Sequence, residues 1–215
     1  MSVESLVHLR RPTAGEPEGL LVLIHGRGTS EQDLFPLLDE IDPERRLLGL
    51  TPRGPLSFPP GGAHWYAVWR IGYPDPESFR RGYGALTGWL DAVWAETGIP
   101  PEKTILGGFS QGSVMTYALG LGPGRPRPAA MLNLSGFVPQ VDGLWEADLS
   151  APLPRIALGH GVYDDVIPVE FARRDRAALE AAGAPLLYRE SPLPHAVDPG
   201  FLAEAAPWLL EAVLG

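Results

Sequence analysis

Residues 104–113 read TILGGFSQGS, and this stretch decides the fold because it joins a strand to a helix through a very tight turn. Its centre, Gly108-Phe109-Ser110-Gln111-Gly112, fits the pattern GxSxG. In such a turn the middle residue has a strained backbone conformation, and its hydroxyl projects beyond the edge of the sheet. Glycines at both ends let the strand and helix backbones pass close together. Ser110 is therefore the candidate nucleophile.

The sequence on either side of this motif favours the same strand, turn and helix. Residues 104–106 form a short apolar run with β-branched members, as expected of a buried parallel strand. After the motif, apolar residues recur at helical spacing until Gly120, Gly122 and Pro123 interrupt them. Because a short GxSxG pattern also arises by chance, this context is what makes the motif informative.

The rest of the chain alternates between predicted strands and predicted helices. Strands are predicted at residues 3–10, 20–24, 47–50, 104–106, 129–134, 155–158 and 185–189. Helices are predicted at residues 33–38, 78–97, after Ser110, 169–182 and 201–214. This alternation predicts a mostly parallel sheet with helices on both faces. Residues 52–76 and 138–154 read as long loops, so we expect one compact domain over residues 1–215 without a separate lid domain.

Composition excludes several classes of function. The chain has 215 residues, of which 45% are hydrophobic and 20% charged, as expected of one globular domain with a sizeable core. A net charge of −9 argues against nucleic acid as a partner, since phosphate binding requires clustered Lys and Arg. The absence of cysteine excludes disulfides, thiolate metal sites and a cysteine nucleophile.

The N-terminal sequence MSVESLVHLRR lacks the basic start and continuous apolar core of a signal peptide. No apolar run approaches the 18 or so residues that a transmembrane helix needs. The sequence therefore predicts a cytoplasmic protein without stable membrane insertion.

A serine hydroxyl needs a neighbouring base, and that base needs an acid to hold its tautomer. On folds with this turn, the acid and then the histidine follow the serine along the chain. His195 follows the last predicted strand and is the candidate base. Asp164 and Asp165 both follow the strand at 155–158, and the residues alone do not separate them. Asp198 ranks third, because it is too close to His195 along the chain to reach its Nδ1 atom easily.

A tetrahedral oxyanion needs two fixed hydrogen-bond donors. The amide of Gln111, at the start of the helix after Ser110, is one candidate. The amide of Arg27 is the other, in the loop His25-Gly26-Arg27-Gly28 that follows the strand at 20–24. This loop has neither the dinucleotide-binding pattern nor the lysine of a P-loop. No two histidines stand three or four residues apart, so no metal site is predicted.

Aromatic residues are concentrated in the loop at 52–76, and long loops in compact domains are usually functional. Trp65 and Trp69 from this loop, with Phe137 after the strand at 129–134, are candidate walls of a substrate pocket. The alternative is that these rings only cover the core.

Four segments resemble the phospholipase/carboxylesterase family of α/β-hydrolases, which includes acyl-protein thioesterases and small bacterial carboxylesterases. The similarity extends over nearly the whole chain. The segments are LIHGRG at 23–28, PRGP at 52–55 with Trp65-Tyr66 following, GGFSQG at 107–112, and His160-Gly161 with an aspartate three residues after the glycine and VIP at 166–168.

This resemblance implies an α/β-hydrolase fold that cleaves esters or thioesters with Ser110, His195 and Asp164, and without a cofactor. The spacing of its acid segment selects Asp164 over Asp165, and its oxyanion donors are the amides of Arg27 and Gln111. The chain departs from the family at Val162, where an acid or small residue is common, and at Pro194, where glycine is common. Neither change touches the three side chains, but the acyl and alcohol preferences stay open.

The leading expectation is a carboxylesterase that cleaves small to medium acyl esters through an acyl-enzyme, with a small-molecule ester as its partner. The apolar loops and the resemblance are compatible with a homodimer. One alternative is an acyl-protein thioesterase or lysophospholipase that acts on long acyl chains. Another is a non-catalytic binding module on a hydrolase fold.

Overall fold

The computed structural model describes residues 6–141, 143–150 and 152–215, and a seven-stranded sheet is its main element. The strands are β1 His8–Arg11, β2 Gly19–Ile24, β3 Leu47–Pro52, β4 Leu56–Phe58, β5 Gly62–His64, β6 Val68–Arg70, β7 Tyr73–Pro74, β8 Thr104–Phe109, β9 Ala130–Leu134, β10 Arg155–Gly161 and β11 Leu186–Ser191. The helices are α1 Leu37–Ile41, α2 Pro76–Thr97, α3 Gln111–Gly120, α4 Glu170–Ala181 and α5 Pro199–Leu214, with a 3-10 turn at Pro101–Lys103.

The strands of the large sheet lie in the order β1-β3-β2-β8-β9-β10-β11. Only β1 is antiparallel to its neighbour, β3, and all other pairs are parallel. The predicted fold class, a mostly parallel sheet between helices, is confirmed. Because β8, β10 and β11 run in the same direction, the loops that follow them emerge at one edge of the sheet.

Alternate side chains of the central strands face opposite layers of helices. Leu20 and Val22 of β2 belong to the core formed with α2 and α3. Leu21 and Leu23 belong to the core formed with α1 and α5 on the other face. This alternation is the period of two that a strand imposes, and a strand buried on both faces therefore reads as a continuous apolar run. No helix in the part of the chain that the structure describes is long and apolar enough to cross a membrane.

The prediction of a short helix at residues 33–38 is wrong, because the helix in this region is α1 at Leu37–Ile41. That segment forms turns, in which the amide of Leu37 donates to the carbonyl of Leu34 at 3.0 Å, and α1 begins only at Leu37. Pro36 explains the shift, because a proline ring disfavours the helical conformation of the residue that precedes it.

The segment at 52–76 also differs from the prediction of a long irregular loop. It contains two antiparallel hairpins, β4–β5 and β6–β7. Strands of two or three residues are too short to show a periodic pattern, so these hairpins could not be predicted from the sequence. At the N-terminus the predicted edge strand is present from His8, while residues 3–5 of that prediction lie outside the described residues.

Candidate active site

The turn between β8 and α3 holds Ser110 in a strained conformation. Its φ of 55° and ψ of −122° lie in a region that non-glycine residues rarely occupy. The two glycines of the motif make this turn sterically possible. A Cβ atom at Gly112 would lie 1.9 Å from the carbonyl oxygen of Ile24, and one at Gly108 would lie 2.5 Å from the backbone of Gly112. The serine hydroxyl therefore projects from the end of β8 at the open edge of the sheet.

Three side chains that are distant in sequence form one hydrogen-bonded chain at this edge. The Nε2 atom of His195 lies 2.9 Å from Oγ of Ser110. The Nδ1 atom of the same ring lies 2.6 Å from Oδ2 of Asp164. A carboxylate can only accept, so Nδ1 carries the ring proton and Nε2 is left to accept from the serine hydroxyl. This arrangement can remove a proton from Ser110 as its oxygen attacks a carbonyl carbon.

The carboxylate of Asp164 is fixed from two sides. Its Oδ1 atom accepts hydrogen bonds from the amides of Val166 and Ile167 at 2.9 and 2.8 Å, which leaves Oδ2 for His195. The side chain of Asp164 is fully buried, whereas Asp165 is exposed. Asp198 lies elsewhere and accepts from the amide of Gly200 at the start of α5. The structure therefore brings Asp164 to His195 and leaves Asp165 and Asp198 away from it.

The loops that carry the acid and the histidine are joined by their backbones. The amide of Tyr163 donates to the carbonyl of Leu193 at 3.0 Å. At Gly161 a Cβ atom would lie 2.3 Å from the carbonyl oxygens of Leu193 and Pro194, so only glycine lets the two loops approach this closely. On its other side the ring of His195 packs against Phe109, with 4.7 Å between ring centroids.

The two candidate oxyanion donors are unengaged backbone amides. Among the described residues, neither the amide of Arg27 nor that of Gln111 has a hydrogen-bond acceptor. The loop that carries Arg27 lies against the nucleophile, since a Cβ atom at Gly26 would be 3.5 Å from Cβ of Ser110. Gln111 is the first residue of α3, where amides point out of the helix without an internal partner. Both amides are free to donate to an anionic oxygen near Ser110.

His25 supports this loop, a role that the sequence did not reveal. Its Nε2 atom accepts from the amide of Gly54 at 2.9 Å, so the ring proton lies on Nδ1, which is 2.7 Å from the carbonyl of Gly26. Burial lowers the pKa of His25 below its ordinary value, which keeps the imidazole neutral. The ring therefore ties the oxyanion loop to the segment after β3.

The side chain of Gln111 connects the nucleophile turn to the loop after β5. Its Oε1 atom accepts from the amide of Trp65 at 2.7 Å, and its Nε2 atom donates to the carbonyl of Tyr66 at 2.8 Å. From the sequence, only the backbone amide of Gln111 was predicted to have a role, as an oxyanion donor. An amide side chain directly after a nucleophile is the sequence signal that could have indicated this second contact. The structure buries this side chain at 3% exposure, where its polar atoms need partners.

His160 is a further buried group beside the acid. Its Nε2 atom donates to the carbonyl of Ile167 at 2.7 Å and lies 3.3 Å from Oδ2 of Asp164. Burial lowers the pKa of His160, so this ring is neutral as well. Both His160 and His195 therefore lie beside the Oδ2 atom of Asp164.

A cavity of about 210 Å³ opens onto Ser110 and His195. Phe137, one of the candidate pocket walls, lines this cavity. Trp65 lies beneath the site instead, fully buried, with its indole N–H donating to the carbonyl of His25 at 2.9 Å. Trp69 is 84% exposed at the β6–β7 hairpin and lines a neighbouring cavity of about 500 Å³. Neither tryptophan lines the cavity at Ser110, because the loop pattern could not show which rings fold inward.

The second cavity shares the hairpin residues 70–74 with the first. Phe137 faces the cavity at Ser110, while Phe171 of α4 faces the larger one, and their ring centroids are 5.1 Å apart. The tip of the hairpin lies against Phe171, because a Cβ atom at Gly72 would lie 2.7 Å from that ring. Among the described residues, no three His, Asp or Glu side chains are grouped as metal ligands.

Comparison with known proteins places this geometry in a family. The chain is similar to lysophospholipase-like protein 1 of Mus musculus, with 25% identity over 100% of this chain and 96% of the relative. It is also similar to acyl-protein thioesterase 1 of Debaryomyces hansenii, with 25% identity over 80% of each chain.

Solved structures show the same similarity. The esterase PE8 is 26% identical, with a TM-score of 0.80 over 98% of this chain and 100% of that one. The carboxylesterase of Bacillus cereus has the same fold at 20% identity, with a TM-score of 0.80 over 97% of this chain and 95% of that one. The model of the phospholipase/carboxylesterase family matches residues 11–210. The chain therefore belongs to the phospholipase/carboxylesterase family, and it is a carboxylesterase-type hydrolase that acts on ester bonds.

Proposed function

We propose that this enzyme cleaves carboxylic esters with small to medium acyl groups through an acyl-enzyme formed on Ser110. The observation that carries this proposal is the hydrogen-bonded chain from Ser110 through His195 to Asp164, with distances of 2.9 and 2.6 Å. This chain ends at a strained serine and a buried carboxylate, which is the arrangement that nucleophilic catalysis by serine requires.

In the first half of the reaction, Oγ of Ser110 attacks the ester carbonyl while Nε2 of His195 takes its proton. The carbonyl oxygen becomes an oxyanion and accepts from the amides of Arg27 and Gln111. Collapse of this intermediate breaks the bond to the alcohol, which leaves with the proton from His195. Asp164 stays ionised and stabilises the imidazolium in between. Water then repeats these steps on the acyl-serine and releases the acid.

The size of the cavity supports small to medium acyl groups. Its volume of about 210 Å³ is below the roughly 300–1,000 Å³ that is typical of pockets for larger ligands. Apolar side chains contribute most of its wall, from Tyr66, Val68, Ile71, Phe137, Val166 and Ile167. An acyl chain of a few carbons would be desolvated there.

The adjoining cavity of about 500 Å³ favours a second candidate, the hydrolysis of long-chain esters or thioesters. The names of the mouse and D. hansenii relatives point in the same direction. A long chain would have to pass the Phe137–Phe171 pair and the β6–β7 hairpin. A profile of kcat/KM over acyl chains of 2 to 16 carbons separates the candidates, because only the second predicts rates that keep rising beyond medium chains.

The test of the mechanism is labelling with a fluorophosphonate probe together with turnover of p-nitrophenyl butyrate. We expect Ser110→Ala to abolish labelling and to lower kcat by about 10⁴-fold or more. Ser57→Ala, which removes an exposed hydroxyl from β4, is the matched control and should keep both. Labelling that persists in Ser110→Ala would exclude Ser110 as the nucleophile, and a wild-type protein that never reacts would indicate a binding module.

A further inference from the structure

Two arginines that pair with none of the described carboxylates line the cavity at Ser110. The chain carries a net charge of −9, yet Arg27 and Arg70 lie on this wall, and no described Asp or Glu does. Elsewhere on the surface, Arg46, Arg125 and Arg173 pair with carboxylates at N–O distances of 2.6 to 2.7 Å. The arginines therefore give the lining of the active-site cavity a positive charge, although the protein as a whole is acidic.

Both guanidinium groups are held by aromatic rings. The Cζ atom of Arg70 lies 4.1 Å from the ring centroid of Tyr73, and that of Arg27 lies 4.7 Å from the centroid of Phe58. Neither side chain forms a hydrogen bond or an ion pair with any residue that the structure describes. A guanidinium stacked on a ring is oriented by it, but its in-plane N–H donors stay available. These donors have no acceptor among the described residues, so a ligand can engage them.

We propose that the natural substrate of this esterase carries a carboxylate, which Arg70 binds with help from the positive charge of Arg27. This inference rests on the proposed function, because it concerns the ester that reaches Ser110. One planar guanidinium can bind a carboxylate with two parallel hydrogen bonds. The local positive charge of the two arginines offsets the repulsion of an anion by the acidic protein.

The test uses two pairs of esters that differ only in a terminal group. In one pair the acyl chain ends in a carboxylate or in a carboxamide, as p-nitrophenyl esters of adipic acid and of its monoamide. In the other pair the alcohol carries that group, as butyrates of 4-hydroxyphenylacetate and of 4-hydroxyphenylacetamide. The measured quantity is the ratio of kcat/KM for the carboxylate over the carboxamide within each pair.

We expect this ratio to exceed one in at least one pair and to fall about tenfold in Arg70→Gln, as for the loss of a charge-assisted hydrogen bond. Arg70→Lys keeps the positive charge but loses the planar pair of N–H donors. This variant should retain part of the preference for the carboxylate ester. Arg80→Gln is the matched control, since Arg80 is an exposed arginine of α2 that lines neither cavity, and its ratio should equal that of the wild type. Added salt should lower the wild-type ratio by screening.

A ratio at or below one in both pairs, or a ratio that Arg70→Gln leaves unchanged, would overturn the proposal. That result is distinct from failure of the proposed function, because Ser110-dependent turnover of the neutral carboxamide esters would still be measured in the same assay.

Discussion

The Nδ1 atom of His195 lies 2.6 Å from Oδ2 of Asp164, and the other oxygen of that carboxylate is occupied by the amides of Val166 and Ile167. The neighbouring Asp165 is exposed and does not contact the imidazole. This relationship distinguishes two adjacent carboxylates that have the same chemistry and nearly the same place in the chain.

Asp164→Asn should therefore lower kcat by about 10⁴-fold, because the amide group no longer stabilises the imidazolium and favours the wrong tautomer of His195. The measurement is turnover of p-nitrophenyl butyrate with folding checked by circular dichroism. Asp165→Asn is the matched control, and we expect a rate close to that of the wild type. A larger loss at position 165 than at position 164 would contradict the assignment of the acid.

Gly112→Ala should destabilise the protein by about 3 kcal/mol or more, because the new Cβ atom would lie 1.9 Å from the carbonyl oxygen of Ile24, a backbone atom that cannot move aside. The measurement is the free energy of unfolding in urea. Gly84→Ala in α2 is the control, since a Cβ atom there meets nothing within 4 Å, and the better helix propensity of alanine should stabilise by up to about 1 kcal/mol. Equal effects at the two positions would refute the steric argument.

The stability of the protein should fall when the pH drops below 6.5. Burial lowers the pKa of His25 below its ordinary value of 6.5, so the unfolded chain takes up the proton before the folded one does. The contribution of neutral His25 is present above pH 6.5 and is lost on acidification below it. His25→Gln can donate to Gly26 and accept from Gly54 without titrating.

The comparison is between the wild type and His25→Gln, with free energies of unfolding measured from pH 7.5 to 5, so that contributions from all other groups cancel. The wild type should lose more stability than the variant over this range. Parallel curves, or a wild type that gains stability relative to the variant on acidification, would show that His25 is not buried in its neutral form.

Phe171→Ala should shift the substrate preference towards longer acyl chains. The ring lines the cavity of about 500 Å³ and packs against Phe137, which lines the cavity of about 210 Å³ at Ser110. Its removal should raise the ratio of kcat/KM for octanoate over butyrate about fivefold or more, since each methylene that gains an apolar contact contributes to the rate. Phe35→Ala, which removes a partly buried ring from the other face of the sheet, is the control and should leave the ratio unchanged.

The central strands and the nucleophile turn could be predicted because their signals are local. The apolar run at residues 20–24 and the motif around Ser110 depend on neighbouring residues and on the backbone alone. The hairpins β4–β5 and β6–β7 could not be predicted, since strands of two or three residues are stabilised by pairing across the hairpin and by their contacts with the rest of the protein. Contacts with the rest of the protein also decide that Trp65 is buried and Trp69 is exposed, so the sequence alone could not predict either.

The sequence by itself determined the strand, turn and helix around Ser110, and the place of His195 after the last strand, because backbone sterics and side-chain periodicity act over a few residues. Only the tertiary structure decided how these groups meet. The family resemblance already implied Asp164 rather than Asp165, but its contact with His195 depends on parallel register and on loop packing. The support of the oxyanion loop by His25 and the packing of Phe171 against Phe137 depend on the same tertiary contacts. Those contacts join residues far apart in the chain, and no local pattern encodes their distances.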